Sequence, residues 1–446
     1  MTRTPRLAAT ICLATFLFTT VVVCGITIRP ARAKPPASET NAVADDPEVL
    51  ANEAVPIRIR VWWGIGGPLG DAFINQVNRF NQSQHRVVVE TELRGGYEGI
   101  YKELKNAVQT DDLPDAAIVE IHSIASLAAA KKIQPLDDLI KDDRKFRTND
   151  LLPGILVNLR FDDKLFALPI NRSTPILYYN KDRFVEAGLN PDKPPETWQE
   201  VQEISYALTS ADQSQYGFLA ASFPWVFESL VWSSGGKLTD GNRATFAEPG
   251  SKTLQLWADM VHRDKTAQFG GRYSANSEFP RSRVAMAIES TAMLQAYTSA
   301  SKFKVGTAPL PRFEGFANAV PTGGGGAVIP AGISAERKAA AWTFLTWFIS
   351  TQQAAEWSRA TGYIPVRESA QTLLRTEGFY DDHPEFETAI EQMKFAREVP
   401  QVPQWLAAWP IMEKSMTSIM RDDAPALETL KGAEKKVGEL LNSKSE

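Results

Sequence analysis

From Ile57 to Val119 the chain repeats one rhythm, a β-rich run followed by a helical stripe followed by another β-rich run, and this limits the available folds more than any other feature. Ile57-Arg58-Ile59-Arg60-Val61-Trp62-Trp63 alternates apolar and charged residues, as a strand with one covered face does. Gly64 to Gly70 reads as a loop. Phe73, Ile74, Val77 and Phe80 then fall on one helical stripe. Arg86 to Leu93 is rich in β-branched residues, which pack well on a pleated surface. Tyr97 to Val108 has helical spacing, and Ala116-Ala117-Ile118-Val119 is a short apolar run of the kind a sheet buries on both faces. Strand, helix, strand, helix, strand predicts a parallel α/β sheet.

A second region opens near Phe166. Ile176-Leu177-Tyr178-Tyr179 is strand-like, and Lys181 to Ala187 is a short helix ended by Gly188 and by Pro191, Pro194 and Pro195. Thr197 with Glu200 three residues later predicts a capping box, in which side chain and backbone satisfy each other's orphan N–H groups. Ala335 to Ser350 predicts a strongly apolar helix carrying Trp342, Phe344, Leu345, Trp347 and Phe348. The last helix places Leu427, Leu430, Val437, Leu440 and Leu441 on one face. No internal repeat of solenoid or propeller period occurs. At 446 residues the chain is long enough for two lobes, each with its own core.

The N-terminus reads as an export signal. Arg3 and Arg6 precede an uncharged run from Leu7 to Ile28, and Ala31-Arg32-Ala33 supplies small residues where a signal peptidase reads. Cleavage there predicts a mature chain beginning at Lys34 in the periplasm. An uncleaved anchor is the other use of such a run. Residues 34–56, rich in Pro, Ala, Asp and Glu, read as a flexible linker. Both cysteines, Cys12 and Cys24, fall in the leader, so the mature chain has neither disulfide nor thiol nucleophile. The leader also takes four of the 48 basic residues and none of the 53 acidic ones, which leaves 44 against 53. That balance disfavours a nucleic-acid partner.

Catalytic chemistry is not signalled. His85, His122, His262 and His383 stand far apart without ligand spacing, and read as surface or satisfied histidines. Neither G-x-S-x-G nor G-x-x-x-x-G-K-[ST] occurs. Gly64-Ile65-Gly66-Gly67-Pro68-Leu69-Gly70 is glycine-rich, but Pro68 and the spacing break the dinucleotide fingerprint. Asp162-Asp163 and Asp381-Asp382 read as solvated turns. No enzyme activity, metal or cofactor is expected. Trp62, Trp63, Trp225, Trp405 and Trp409 lie outside helical apolar stripes, and such rings serve either a core or the C–H face of a sugar or polyol. Gly323-Gly324-Gly325-Gly326 leaves backbone N–H groups unshielded, as a flexible loop or a ligand's close neighbour would.

Leu168-Pro169-Ile170-Asn171-Arg172-Ser173-Thr174-Pro175-Ile176-Leu177-Tyr178-Tyr179-Asn180-Lys181-Asp182 carries a family likeness. With Ala187-Gly188-Leu189, Pro194-Pro195-Glu196-Thr197-Trp198, Thr361-Gly362-Tyr363-Ile364-Pro365-Val366 and Thr376-Glu377-Gly378-Phe379-Tyr380, it resembles the extracellular solute-binding proteins of sugar-type ABC importers, among them the glycerol-3-phosphate binders. The resemblance runs from about Ile57 to the C-terminus. It implies a two-lobed periplasmic-binding-protein fold of the maltose-binding type, with a hinge, an interlobe cleft and inner-membrane permease subunits as partners. It implies crossings near Leu165, Lys302 and Ser350, hence one lobe of residues 57–165 and 302–350 and another of 166–301 and 351–446.

Position by position, the resemblance implies ligand contacts at Tyr97, Glu120, Ser173, Ser290, Gly324 and Tyr363, with Trp225 as the stacking ring. The glycerol-3-phosphate binders hold phosphate with an arginine in the C-terminal segment. Here Pro400 to Met420 contains no arginine, only Lys414, and offers Trp405 and Trp409. The expectation is therefore a neutral glycoside such as glucosylglycerol, sucrose or trehalose. Glycerol-3-phosphate or a glycerophosphodiester is the alternative, with Arg172 or Arg94 supplying the charge, and a secreted glycoside-active enzyme is the more distant one.

Overall fold

The computed structural model describes residues 55–107 and 113–443. The expected signal peptide of residues 1–33 and nearly all of the expected linker lie outside the described residues. No helix among the described residues is long and apolar enough to cross a membrane.

The predicted rhythm appears as β1 (Ile57–Trp63), α1 (Gly67–Ser83), β2 (Val87–Leu93), α2 (Gly96–Ala107) and β3 (Ala116–Glu120). β1 pairs parallel with both β2 and β3. The Gly64–Gly70 loop is shorter than expected, because Pro68 fits the first turn of α1, where no backbone N–H is needed. Phe73, Val77 and Phe80 are buried, whereas Ile74 is 39% exposed. At i+1 from Phe73 it sits about 100° around the helix and misses the sheet. Phe73 stacks on Trp63 with centroids 4.1 Å apart. Trp62 and Trp63 are therefore core residues and not ligand platforms.

β4 (Ala167–Ser173) and β5 (Pro175–Asn180) follow, and a single residue separates two different sheets. The second lobe then runs through α3 (Trp198–Leu208), β6 (Tyr216–Ser222), α4 (Pro224–Ser233), α5 (Ala247–His262), β7 (Ala267–Gly271), β8 (Val284–Ser290) and β9 (Val305–Ala308). The capping box forms at α3: the Glu200 N–H donates to Thr197 Oγ1 at 3.2 Å, and the Thr197 N–H donates to Glu200 Oε2 at 3.1 Å. The chain returns with β10 (Gly323–Val328), α6 (Ala335–Phe348) and α7 (Thr351–Thr361), and ends in the second lobe with α8 (Trp405–Asp422) and α9 (Ala426–Leu441). Leu430, Val437 and Leu441 are buried on α9, while Leu427 turns outward. The sheets have the orders β2-β1-β3-β10-β4 and β7-β6-β8-β5-β9. One core packs around Trp63, Phe73, Phe348 and Trp357, and another around Trp198, Phe218, Trp257 and Met412.

This topology moves the lobe boundaries expected from the resemblance. Residues 167–173 belong to the first sheet because β4 pairs with β10, so the first crossing is at Thr174 and not at Leu165. β9 pairs with β5, so the chain returns between Ala308 and Gly323 and not at Lys302. α7 stays in the first lobe, since Trp357 meets Phe348 at 5.3 Å and Trp63 at 6.2 Å. The third crossing therefore follows Ala396–Arg397, which pairs with Val320–Pro321, and does not lie at Ser350. At the hinge Gln392 Nε2 donates to Thr174 Oγ1 and to the Pro175 carbonyl, at 3.1 and 2.7 Å.

Candidate functional site

The glycine run is a strand, not a loop. β10 lies antiparallel between β3 and β4, and pairs Gly323 with Ser173, Gly324 with Arg172 and Gly325 with Glu120. A Cβ on Gly324 would stand 1.5 Å from the Asn171 carbonyl oxygen, and its φ of +90° suits glycine alone. A Cβ on Gly323 would stand 2.4 Å from the Trp225 ring. The glycines thus let a strand of each lobe's connection and an aromatic ring close on one point.

Five of the seven sequence-predicted residues, Tyr97, Glu120, Ser173, Trp225 and Gly324, meet at this strand; Tyr363 joins through Tyr97, and Ser290 pairs with Pro175 in the second sheet. Tyr97, at the start of α2, lies against Gly325, and its hydroxyl accepts from Asn171 Nδ2 at 3.0 Å. It also meets the Tyr363 hydroxyl; burial holds both phenols above their usual pKa, so both stay protonated. The Tyr363 ring stacks on Trp357 at 5.9 Å. Gly362, just before it, comes so close to the Thr291 carbonyl that a Cβ would lie 2.5 Å away, which brings Tyr363 to the turn that Ser290 begins. Ser173 is buried opposite Gly323, and Trp225 starts α4 with its Nε1 donating to the Thr322 carbonyl at 3.3 Å.

Glu120 ends β3 and caps the 3-10 turn Ile121–Ser123, where its Oε2 accepts from the His122 N–H at 2.7 Å. Its Oε1 meets His122 Nδ1 at 2.5 Å. Glu120 is therefore both a turn cap and the half-buried partner of a buried histidine. Across the cleft His122 Nε2 is 3.8 Å from Glu228 Oε2 of α4, beyond hydrogen-bond length but within ion-pair range. Burial alone would lower the His122 pKa, but the two carboxylates outweigh it and push it up to about 10. His122 is thus an imidazolium at neutral pH. Trp405 Nε1 and Trp409 Nε1 both donate to Glu228 Oε1, at 2.9 and 3.4 Å, and the Trp409 ring lies 4.8 Å from the His122 ring.

Sequence reasoning missed His122, Glu228 and Asn171. His122 was read as a surface or satisfied histidine, yet it stands in the cleft two residues from Glu120. Glu228 carried one signal, being the sole charge in the apolar stretch Pro224–Ser233. Both candidate arginines are engaged within the protein, each with only its Nε left without a partner. Arg172 is buried and donates to the Gly323 carbonyl, the Val157 carbonyl and Thr322 Oγ1. Burial lowers its pKa to about 10, against the raising effect of Glu120 and Tyr97. Arg94 pairs with Glu92 and Glu103 and lies over the Trp62 ring at 4.5 Å. A cavity of about 950 Å³ opens elsewhere, between Lys193, Glu200, Leu310, Arg312 and Phe395, and none of the seven residues lines it.

Comparison with known proteins bears on the family and the fold. The profile of the family described as "Bacterial extracellular solute-binding protein" matches residues 75–388. The sn-glycerol-3-phosphate-binding periplasmic protein UgpB of Yersinia enterocolitica is 30% identical over 362 residues, covering 77% of this chain and 82% of that one. The crystal structure of UgpB from Mycobacterium tuberculosis in complex with glycerophosphocholine superposes with a TM-score of 0.79 at 27% identity, over 87% of this chain and 99% of that one. Maltose-bound MalE3 of T. maritima, at 19% identity, shares the fold with a TM-score of 0.75, over 86% of this chain and all of the other.

Proposed function

The chain belongs to the bacterial extracellular solute-binding proteins, and from that premise we propose that it captures a small polyol of the glycerol-phosphate class in the periplasm. It is the substrate-binding component of an ABC importer, a binding protein and not an enzyme, and its function implies permease partners. One observation supports the ligand class: Tyr97, Glu120, Ser173 and Gly324 meet on the hinge strand, with Tyr363 bonded to Tyr97. In this reading Glu120 accepts from a vicinal diol, while the Ser173 and Ser290 hydroxyls and the Gly324 backbone N–H donate to phosphate oxygens. Trp225 supplies the apolar wall. Export through the leader brings the receptor to the solute, and closure of the lobes about the Thr174, Thr322 and Ala396 crossings retains it.

A second reading, a neutral glycoside such as glucosylglycerol, sucrose or trehalose, is favoured by Arg172 and Arg94 being engaged within the protein and by Trp405 and Trp409 turning toward a carboxylate. Calorimetry with glycerol-3-phosphate, glycerophosphocholine, glucosylglycerol and trehalose separates the two. The first reading expects the glycerophosphoryl compounds to bind tightest, with affinity falling as salt rises. Tight, salt-insensitive binding of a glycoside alone would replace it with the second, and binding of none would remove the polyol class.

A further inference from the structure

The floor of the cleft holds a buried pair of opposite charges that belong to different lobes. His122 stands in the turn after β3, and Glu228 one turn into α4, three residues after Trp225. Their facing atoms, His122 Nε2 and Glu228 Oε2, are both buried and have no hydrogen-bond partner. Their other atoms are held fast: Nδ1 by Glu120, and Oε1 by the indoles of Trp405 and Trp409. Two side chains so held, with their free atoms aimed at each other, confront any charge brought to the floor.

The surroundings leave little else to balance such a charge. From the first lobe the ionisable groups near His122 are Glu120 and, beyond it, Arg172 and Tyr97. Arg172 already donates to two backbone carbonyls and a threonine. From the second lobe, Arg272 lies 5.6 Å over the Trp409 ring and pairs with Glu413. Arg172 and Arg272 each leave a buried Nε without a partner, but it is His122 whose unpartnered Nε2 faces a carboxylate of the other lobe, that of Glu228.

We infer that His122 and Glu228 are a specificity-determining pair that spans the lobes and sets the charge of the solute the cleft accepts. With Glu228 present, the floor offsets its own imidazolium, so among glycerophosphoryl solutes it holds the singly charged diester better than the phosphate dianion. The pair acts on solute charge and not on its hydroxyl pattern, because a buried charge reaches across several ångströms of low-dielectric protein. This rests on the proposed polyol reading for its choice of probes.

The experiment measures dissociation constants of glycerol-3-phosphate and glucosylglycerol for the full chain and for Glu228→Gln and His122→Gln, each first checked for a cooperative melt. Glu228→Gln leaves the imidazolium balanced by Glu120 alone. It should strengthen glycerol-3-phosphate about tenfold or more and change glucosylglycerol by less than about threefold. His122→Gln leaves two carboxylates and should move the ratio the other way by a similar factor. Should the wild type bind neither probe, the polyol reading falls, while glycerol-3-phosphate binding gained by Glu228→Gln still supports the pair. Equal changes for both solutes, an unchanged ratio, or no binding gained by Glu228→Gln would overturn it. If one variant fails to fold, the other decides by the same ratio.

Discussion

Each lobe presents the cleft with a strand end, a three-residue 3-10 turn and a helix: Glu120 before Ile121–Ser123, and Ser290 before Thr291–Met293. The backbones at the caps are nearly the same, with φ and ψ of −63° and 136° at Glu120 and −60° and 142° at Ser290. Both side chains accept from the N–H two residues on, at 2.7 and 3.2 Å. Their electrostatics are opposed. In the first lobe the acid is the cap itself and holds an imidazolium. In the second the acid stands one residue earlier: Glu289 is buried, one oxygen accepts from the Ser290 N–H at 2.7 Å and the other has no partner. Because successive residues of a strand face opposite sides, that single step takes the carboxylate off the cleft face and toward Tyr178 and Tyr297. The same backbone device thus delivers a charge from one lobe and a neutral hydroxyl from the other.

The largest effect that would break this comparison is on stability. Burial raises the Glu289 pKa to about 7, with the Ser290 N–H opposing, whereas an unfolded glutamate titrates near 4.5. Between those values the folded chain holds a proton that the unfolded chain has lost. His122, whose pKa is raised as well, adds a decline of its own above pH 6.5; the Glu289 contribution should fall as pH rises from about 4.5 to 7, by about 3 kcal/mol in all. Glu289→Gln should abolish that slope and be the more stable protein at pH 8. Urea unfolding at pH 5, 6.5 and 8 reads it, and matching profiles for the two proteins would remove the contrast between the acids.

Binding sharpens the comparison next. Glu120→Ala removes a charged acceptor and leaves His122 with Glu228 alone, so solute affinity should drop about tenfold to a hundredfold. Ser290→Ala removes one neutral hydroxyl and should cost about threefold to tenfold. Calorimetry on both variants tests the order, and a Ser290→Ala loss as large as that of Glu120→Ala would show the second lobe to contribute as much as the first.

What the residues determined unaided was local. The alternation of Ile57–Trp63, the Thr197–Glu200 box and the apolar run of α6 each carry their signal within a few neighbours, and each appears where its periodicity places it. The family likeness added the two lobes and a set of candidate residues, of which Tyr97, Glu120, Ser173, Trp225 and Gly324 meet at the hinge strand. Tertiary structure decided the rest. Gly323–Gly326 has no side chain with which to announce a strand, and becomes one because β3 and β4 lie on either side of it. The crossings moved for the same reason, since sheet membership depends on partners far away in the chain. His122 is unremarkable in sequence and Glu228 stands out only as a charge in an apolar stretch, because an ion pair requires only that two side chains meet, and which ones meet is settled by how the lobes pack.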